Sequence, residues 1–490
     1  MADLDRRSVL RGAAAVAGGA LLGGPFAGFV ARSAVHADPD SAGFRQLRPI
    51  PDLRDGNVRL WLPEGFQYRS FHDTELTVVL DDGTVLPGRH DGMAAFPGPN
   101  GNVLLVRNHE VNGPGTPFGN PALAYDTATA GGTTTVEVTR FGAVVRSFTS
   151  LNGTQMNCSG GPMPWGSWVT CEETVNGPDV MPDFTGAPNV GLQQRHGFIF
   201  EVPKDGQSDR QPIRSAGRFA HEAVAFDPVE GWLYLTEDDF GFASGFYRYR
   251  PPRDPREAGR LVDGGRLQML AVRGQPNANL AASQPMRATY QVEWVDIDDP
   301  APEFPYTPGV PATTRQETAL PYVARQGWEQ GAAYFSRLEG SAYDNGVVYF
   351  TSTQGGGPAE TSTGPILDGY GNGSGQVWGY HVAAGMLQLV YESPGPDVLD
   401  LPDNVTTSPR GTLVLCEDNV NDNYLRGLTQ GGQLFDIALN RLVSRTGVPR
   451  FNDEFAGSTF SPDGHTLFVN IQASRGMTFA IWGPWTTLGV

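Results

Sequence analysis

Six segments of the chain repeat one alternation of polar and apolar positions. Each opens on a polar residue, passes through small residues into an apolar patch, turns at Pro or Gly, and resumes with a β-rich run ending in polar residues. They read Asp91-GMAAFPGPNGNVLLVRNHE, Cys158-SGGPMPWGSWVTCEE, Glu222-AVAFDPVEGWLYLTEDD, Glu339-GSAYDNGVVYFTST, Asp403-NVTTSPRGTLVLCEDN and Glu454-FAGSTFSPDGHTLFVNIQ. Runs such as WLYLTE and TLVLCE are β-branched and aromatic and of strand length. SPDG, SPRG and DPVEG carry turn chemistry, with Pro fixing φ and Gly supplying positive φ. Each segment therefore predicts a β-hairpin. Alignment on the second strand sets Asn108, Glu172, Glu237, Ser352, Glu417 and Asn470 in one column, 13 to 17 residues after the opening residue. In an antiparallel hairpin the start of the first strand and the end of the second share an edge. Six units arranged radially bring those edges to a central channel, and radial repetition protects most strand edges. The pattern predicts an all-β fold, a six-bladed β-propeller with loop insertions.

The longest interval between opening residues, 117 positions from Glu222 to Glu339, contains a Pro/Arg/Ala-rich tract. It predicts the rest of one blade plus an insertion at about 250–330, over a rim or the mouth of the channel. The terminal run TFAIWGPW predicts a strand that closes the ring with material near the N-terminus. Composition changes the domain count. Glycine (63) and proline (39) are about a fifth of the 490 residues, too many for a helical bundle and suited to repeated turns. Length alone suggests roughly three domains; the repeat instead predicts a single domain over 38–490. With 53 acidic against 35 basic residues, a net charge of -18 and Lys204 as the only lysine, the chain lacks the positive stripe that nucleic-acid binding requires.

The first 37 residues read as an address. Arg6 and Arg7 precede a mildly apolar, Ala/Gly-rich stretch that ends at Val35-His36-Ala37. That pattern predicts a twin-arginine signal peptide over 1–37, and with it the twin-arginine export machinery as a partner and a secreted or periplasmic location. An ordinary secretory signal or an anchor helix is the alternative. No later stretch approaches 18 uninterrupted apolar residues, so no stable membrane span is expected, and the chain is expected to act as a monomer. Its three cysteines, Cys158, Cys171 and Cys416, are too few for a disulfide framework, and no CxxC pair supports structural zinc.

Candidate chemistry gathers at the convergent edge. The opening residues bring Cys158, Glu222, Glu339, Asp403 and Glu454, and the strand ends bring Glu110, Glu172, Glu173, Glu237, Asp238, Asp239, Glu417 and Asp418. Many carboxylates in one low-dielectric channel raise one another's pKa unless protonated or neutralised by cations. Carboxylate oxygens suit calcium or oxidised iron, and a thiolate among them suits a transition metal. Solvated loop-tip acids are the bland reading, which explains their abundance but not their registration. Arg337, two residues before Glu339, shares its face on a strand. Its planar fork suits an anion's oxygen pair, with a structural bridge to a carboxylate as the alternative. Cys171 and Cys416 match Thr236 in the repeat and read as small packing residues.

NCSGGPMPWGSWVTCEE, GRFAHEAVAFDP, SRLEGSAYD, PDNVTTSPRGTLVLCED and EFAGSTFSPDGHTLFVNIQ together resemble the motif series of the PhoX-type alkaline phosphatases, from about residue 45 onward. The resemblance implies a six-bladed propeller, a twin-arginine signal, a cofactor combining iron and calcium, and hydrolysis of small phosphate monoesters with release of phosphate outside the cell. By motif, Cys158, Glu222 and Glu339 resemble iron-side ligands and Arg337 the phosphate-binding arginine. Glu172 or Glu173, Asp403 and Glu417 correspond to calcium sites, with Asp418 and Glu110 beside them. Two other readings remain open: a calcium-dependent propeller lactonase or other hydrolase, which gives Cys158 and Arg337 no role, and a non-enzymatic calcium-stabilised binding propeller.

Overall fold

The computed structural model describes residues 46–360 and 370–490; the signal-like segment at 1–37 lies outside them. The six repeats are six antiparallel hairpins. Their first strands are His90–Pro97, Asn157–Met163, His221–Phe226, Leu338–Asp344, Pro402–Thr407 and Glu454–Phe460, and their second strands Val103–His109, Ser167–Glu172, Leu233–Glu237, Val347–Ser352, Leu413–Glu417 and Thr466–Gln472. The turn chemistry acts as the sequence predicts. In SPRG and SPDG the amides of Gly411 and Gly464 donate to the carbonyls of Ser408 and Ser461 at 2.9 and 2.7 Å, and both glycines sit at positive φ, 77° and 68°.

The first strands contact one another in chain order, and the sixth returns to the first. They pack backbone against backbone, which explains the small residues of the repeat. A methyl group on Gly161 would lie 1.7 Å from the carbonyl oxygen of Val224, and one on Gly340 would lie 2.5 Å from the amide nitrogen of Val405. Outside this ring, large apolar side chains fill the space between neighbouring units: Phe246 stacks on Phe350 at 4.2 Å, and Trp378 and Phe335 join the same cluster. Burying each such side chain contributes about 1.5–3 kcal/mol.

Among the described residues, hydrogen bonding delimits five sheets, so the fold they form is all-β and propeller-like without six separate blades. The third and fourth hairpins share one nine-stranded sheet, because Thr289–Asp296 pairs with Met386–Glu392 at the rim. N-terminal material completes two other sheets. Gln67–Phe71 pairs with Met477–Trp482, which is the expected closing run, and Val58–Leu62 pairs with Leu434–Asn440. The stretch around 250–330 contributes the strands Arg266–Val272 and Thr289–Asp296 and the helix Tyr322–Glu329. Buried Val323, Ala324 and Trp328 of that helix join the core cluster that contains Met269 and Tyr247. Among the described residues, no helix is long and apolar enough to cross a membrane.

Candidate metal centre

Every one of the six hairpins slips register near its ring end, so that two residues face one. The pairs are Asp91–Gly92 opposite Asn108, Cys158–Ser159 opposite Cys171, Glu222–Ala223 opposite Thr236, Glu339–Gly340 opposite Thr351, Asp403–Asn404 opposite Cys416, and Gly457–Ser458 opposite Val469. A bulge re-aims a side chain and sharpens the local twist. Here it presents Asp91, Cys158, Glu222, Glu339 and Asp403 at one level. The sixth bulge begins with Gly457, at φ 60°, where a methyl group would lie 2.3 Å from the carbonyl oxygen of Asp91. No side chain fits there, and Glu454, three residues earlier, supplies the carboxylate of that unit. Four non-glycine residues in the left-handed region lie two positions before a bulge: Arg89, Met156, Arg337 and Leu401, at φ 48°, 47°, 41° and 50°. Such backbone costs about 1–3 kcal/mol per residue and persists where surrounding structure over-determines it.

The polar column is displaced by one residue in the first unit. His109, not Asn108, pairs as Glu172, Glu237, Ser352, Glu417 and Asn470 do. The column acids serve their own blades rather than the channel. Glu172 accepts hydrogen bonds from the amides of Gln155, Gly197 and Phe198 at 3.0, 2.9 and 3.2 Å, and lies 2.6 Å from Nδ1 of His196. Glu417 accepts from the amides of Asp400 and Tyr424 and from Nε of Arg426 at 2.9 Å; burial lifts it to about 7 despite that arginine. Glu237 accepts from Gly245 N and Tyr247 Oη, and burial lifts it to about 8. Side chains alternate along a strand, so the following residues, Glu173 and Asp418, turn to the channel instead. The structure thus parts Glu172 and Glu417 from the ligand groups expected of them and brings in Glu173, Asp418 and Glu454.

His196 is fully buried between Glu172 and Asp126, whose Oδ2 is 3.6 Å from Nε2. Burial opposes its charge, but the two carboxylates outweigh burial and raise it to about 9. A histidine that titrates near 6.5 when unfolded and near 9 when folded stabilises fully below pH 6.5 and loses that contribution as pH rises to about 9. His196 is expected to account for about 3 kcal/mol of the stability that the metal-free protein loses across this window, read as a falling Tm, with H196N making the slope less steep. An equally steep fall in H196N rules His196 out as the cause.

Three groups of donor atoms each lie within 4.8 Å of one another: Cys158, Glu173 and Glu222; Glu222, Glu339 and Asp403; Asp403, Asp418 and Glu454. Glu222 and Asp403 are shared, so the groups form one continuous chain across the channel. Burial, then the neighbouring carboxylates, pushes Glu222 and Glu339 well above the usual carboxylate range, and the same causes carry Asp403 to about 7. Burial, then Glu222 and Glu173, holds the Cys158 thiol well above its ordinary value. Arg337 reaches this edge from the left-handed kink rather than by strand alternation. Its Nε and Nη2 donate to Asp238 at 3.0 and 2.7 Å, and Nη2 also donates to Glu339 Oε1 at 2.8 Å. Burial opposes its charge, and Asp238 and Glu339 outweigh burial. The Phe240 ring lies 5.5 Å from its guanidinium carbon. Glu110 sits apart from the three groups, accepting from Gln472 Nε2 at 2.5 Å, with the same nitrogen 3.2 Å from Asp91 Oδ2.

The donor set fits cations. Buried acids that raise one another's pKa are stabilised as anions by a positive ion among them, which inverts the local pKa logic. One thiol at one end and carboxylates only at the other provide a soft and a hard site in sequence. Around the set, Asp238 holds Arg337 and Asp91 shares Gln472 with Glu110, while Glu454 belongs to the third group. The repeat's opening position exposes Asp91 and Glu454 in the sequence, and the double acid of TEDD exposes Asp238. Gln472, the last residue of the sixth repeat, meets Glu110 and Asp91 only through ring closure.

A ring of β-hairpins with buried carboxylates, a thiol and an arginine on its axis defines a propeller-like protein with a candidate metal centre. A sequence model of the alkaline phosphatase PhoX family matches residues 45–147 and 141–474, and the chain belongs to that family; it is a phosphatase. The fold is similar to that of Pseudomonas fluorescens PhoX, solved in complex with vanadate, a transition state analogue, with a TM-score of 0.61 and 16% identity over 90% of this chain and 98% of that one. A gluconolactonase from Xanthomonas campestris aligns over 89% of this chain and 97% of its own, at 12% identity and a TM-score of 0.38. No curated protein sequence matches the chain.

Proposed function

We propose that this phosphatase is exported, hydrolyses small phosphate monoesters, and holds iron and calcium in the channel of a single six-bladed propeller. The observation that carries the reading is the chain of three donor groups sharing Glu222 and Asp403, next to Arg337. Six inner strands in a closed ring support six blades, with the nine-stranded sheet read as two blades joined at the rim. Cys158, Glu173 and Glu222 would hold iron, and Asp403, Asp418 and Glu454 calcium, with Glu339 between them. When bound, such ions draw negative charge from phosphoryl oxygens in the transition state.

The chain's own groups supply the rest. The Arg337 fork matches a pair of phosphate oxygens. Asp238, paired with it at two atoms, fixes the plane of the guanidinium, and the left-handed backbone aims it across the channel. Glu339 accepts from the same guanidinium, so an arriving phosphate competes with a carboxylate already in place. Cys158 and Arg337 favour this reading over a calcium-only lactonase, in which neither has work. The twin-arginine signal at 1–37 supports export, and a monomer suffices, because the donor groups come from one chain.

The test is metal analysis of natively exported protein with p-nitrophenyl phosphate turnover before and after chelation. Iron together with calcium, and turnover that falls at least about tenfold on chelation and returns with calcium chloride, is expected. Calcium alone with no turnover overturns the proposal.

A further inference from the structure

Three of the six residues facing a bulge, Asn108, Thr236 and Thr351, and Asn470 at the end of the sixth hairpin have a second partner in the next unit. Thr236 Oγ1 accepts from the amide of Ala223 in its own bulge at 2.9 Å and lies 2.5 Å from the carbonyl oxygen of Glu339, to which it donates. Thr351 Oγ1 repeats the arrangement one unit later, donating to the carbonyl oxygen of Asp403 at 2.6 Å. Asn108 Nδ2 donates to the carbonyl oxygens of Cys158 and Ser159 at 2.9 and 2.7 Å. Across the closure of the ring, Asn470 Nδ2 donates to the carbonyl oxygen of Asp91 at 2.5 Å. All four side chains are fully buried. At four of the six junctions, therefore, one unit grips the backbone of the donor residue that the next unit aims into the channel.

A bulge leaves backbone groups outside the strand ladder, and a buried carbonyl without a partner costs about 1–3 kcal/mol. The gripping side chain satisfies that carbonyl and fixes the peptide that carries the donor side chain. We propose that Thr236 and Thr351, with Asn108 and Asn470, are positioning residues that set the channel's donor side chains from the neighbouring unit. The role of Thr236 falls on Glu339, which also receives Arg337, and the role of Thr351 on Asp403, which belongs to two donor groups. The proposal rests on the channel being a metal centre, as described above.

The test uses full-length protein stripped with chelator and titrated with calcium chloride in a calorimeter. T236V and T351V remove one hydroxyl each at nearly constant volume. T236S and T351S restore it. T412V is the control, because Thr412 Oγ1 makes the same kind of bond, to Gly489 O at 2.6 Å, at the rim. Residues that orient ligands typically change metal affinity about 10–100-fold when lost. The expected result is calcium affinity at least about tenfold weaker in T236V and T351V. The serine variants should lie within about threefold of the parent, and T412V should be unchanged. Parent-like affinity in both valine variants overturns the proposal, as does equal weakening in T412V or failure of serine to rescue. If only one valine variant folds, that variant decides; failure of both to fold while T412V folds also counts against positioning. If the parent binds no calcium, the metal-centre reading fails separately. Amide exchange at 339–341 and 403–405 in metal-free protein then decides, faster exchange in the valine variants supporting the grip and unchanged exchange overturning it.

Discussion

Arg337→Ala is expected to lower kcat/KM for p-nitrophenyl phosphate by about 10²–10³ while leaving bound calcium undiminished. Removing one preorganised donor aimed at charge that develops in the transition state costs about 10²–10³ in rate, or about 2.7–4 kcal/mol. Two carboxylates of the channel wall, Asp238 and Glu339, hold the guanidinium directly. Its loss removes the fork for phosphate, but it also removes a positive charge that competes with metal ions. A structural bridge and a phosphate clamp therefore predict opposite patterns. A clamp predicts weaker inhibition by inorganic phosphate and metal content at or above that of the parent. A bridge predicts disordered carboxylates, lost metal and unchanged phosphate inhibition in whatever activity remains. Arg337→Lys keeps the charge without the planar fork and should fall between parent and alanine variant. Turnover and phosphate inhibition both at the parent's values in Arg337→Ala would remove the residue from the mechanism.

What was legible in the sequence depended on local chemistry. The six hairpins were, because turn residues and strand runs act over a few positions. So was the closing strand, because TFAIWGPW needed a partner. Bulges were not legible, since one extra residue leaves the apolar pattern of a short strand almost intact. Hence the repeat predicts Asn108 in the column where the structure places His109, and it opens the sixth unit at Glu454 although the bulge begins at Gly457. The double acids show the same limit. In TCEE and LCED the first carboxylate ties down its own blade and the second enters the channel, and which does which is fixed by strand alternation after the bulge. The partners of Glu172 and Glu417, His196 and Arg426, gave no sign in the repeat. The joined third and fourth sheets arise from Thr289–Asp296 meeting Met386–Glu392, a pairing across almost 100 positions that no local pattern encodes. The grip of Thr236 on Glu339 is equally long in sequence, and the repeat shows Thr236 only as the position that Cys171 and Cys416 match.

The two cysteines of the second hairpin separate ligand from packing within one element. Cys158 and Cys171 are both buried, and burial pushes both thiols well above their ordinary range. They sit across one bulge from each other, so substitution at either perturbs the same strand pair. Only Cys158 places its sulfur with Glu173 and Glu222, and its thiol donates to the carbonyl oxygen of His221 at 3.1 Å. Cys158 would hold a transition metal as its thiolate, giving up the thiol proton to solvent, because the thiolate is the form that binds. Cys158→Ala is accordingly expected to lose the iron proposed for this group and about 10²-fold or more in turnover. Cys158→Ser should do the same, since an alcohol oxygen does not replace a soft thiolate. Cys171→Ala leaves a small cavity worth about 1 kcal/mol, a slightly lower Tm, and metal content and turnover within about threefold of the parent. Iron content by elemental analysis and p-nitrophenyl phosphate turnover on the same preparations decide the matter. If the Cys158 and Cys171 variants keep or lose iron together, the thiol acts through the packing of the strand pair, and the soft end of the donor chain has to be sought elsewhere.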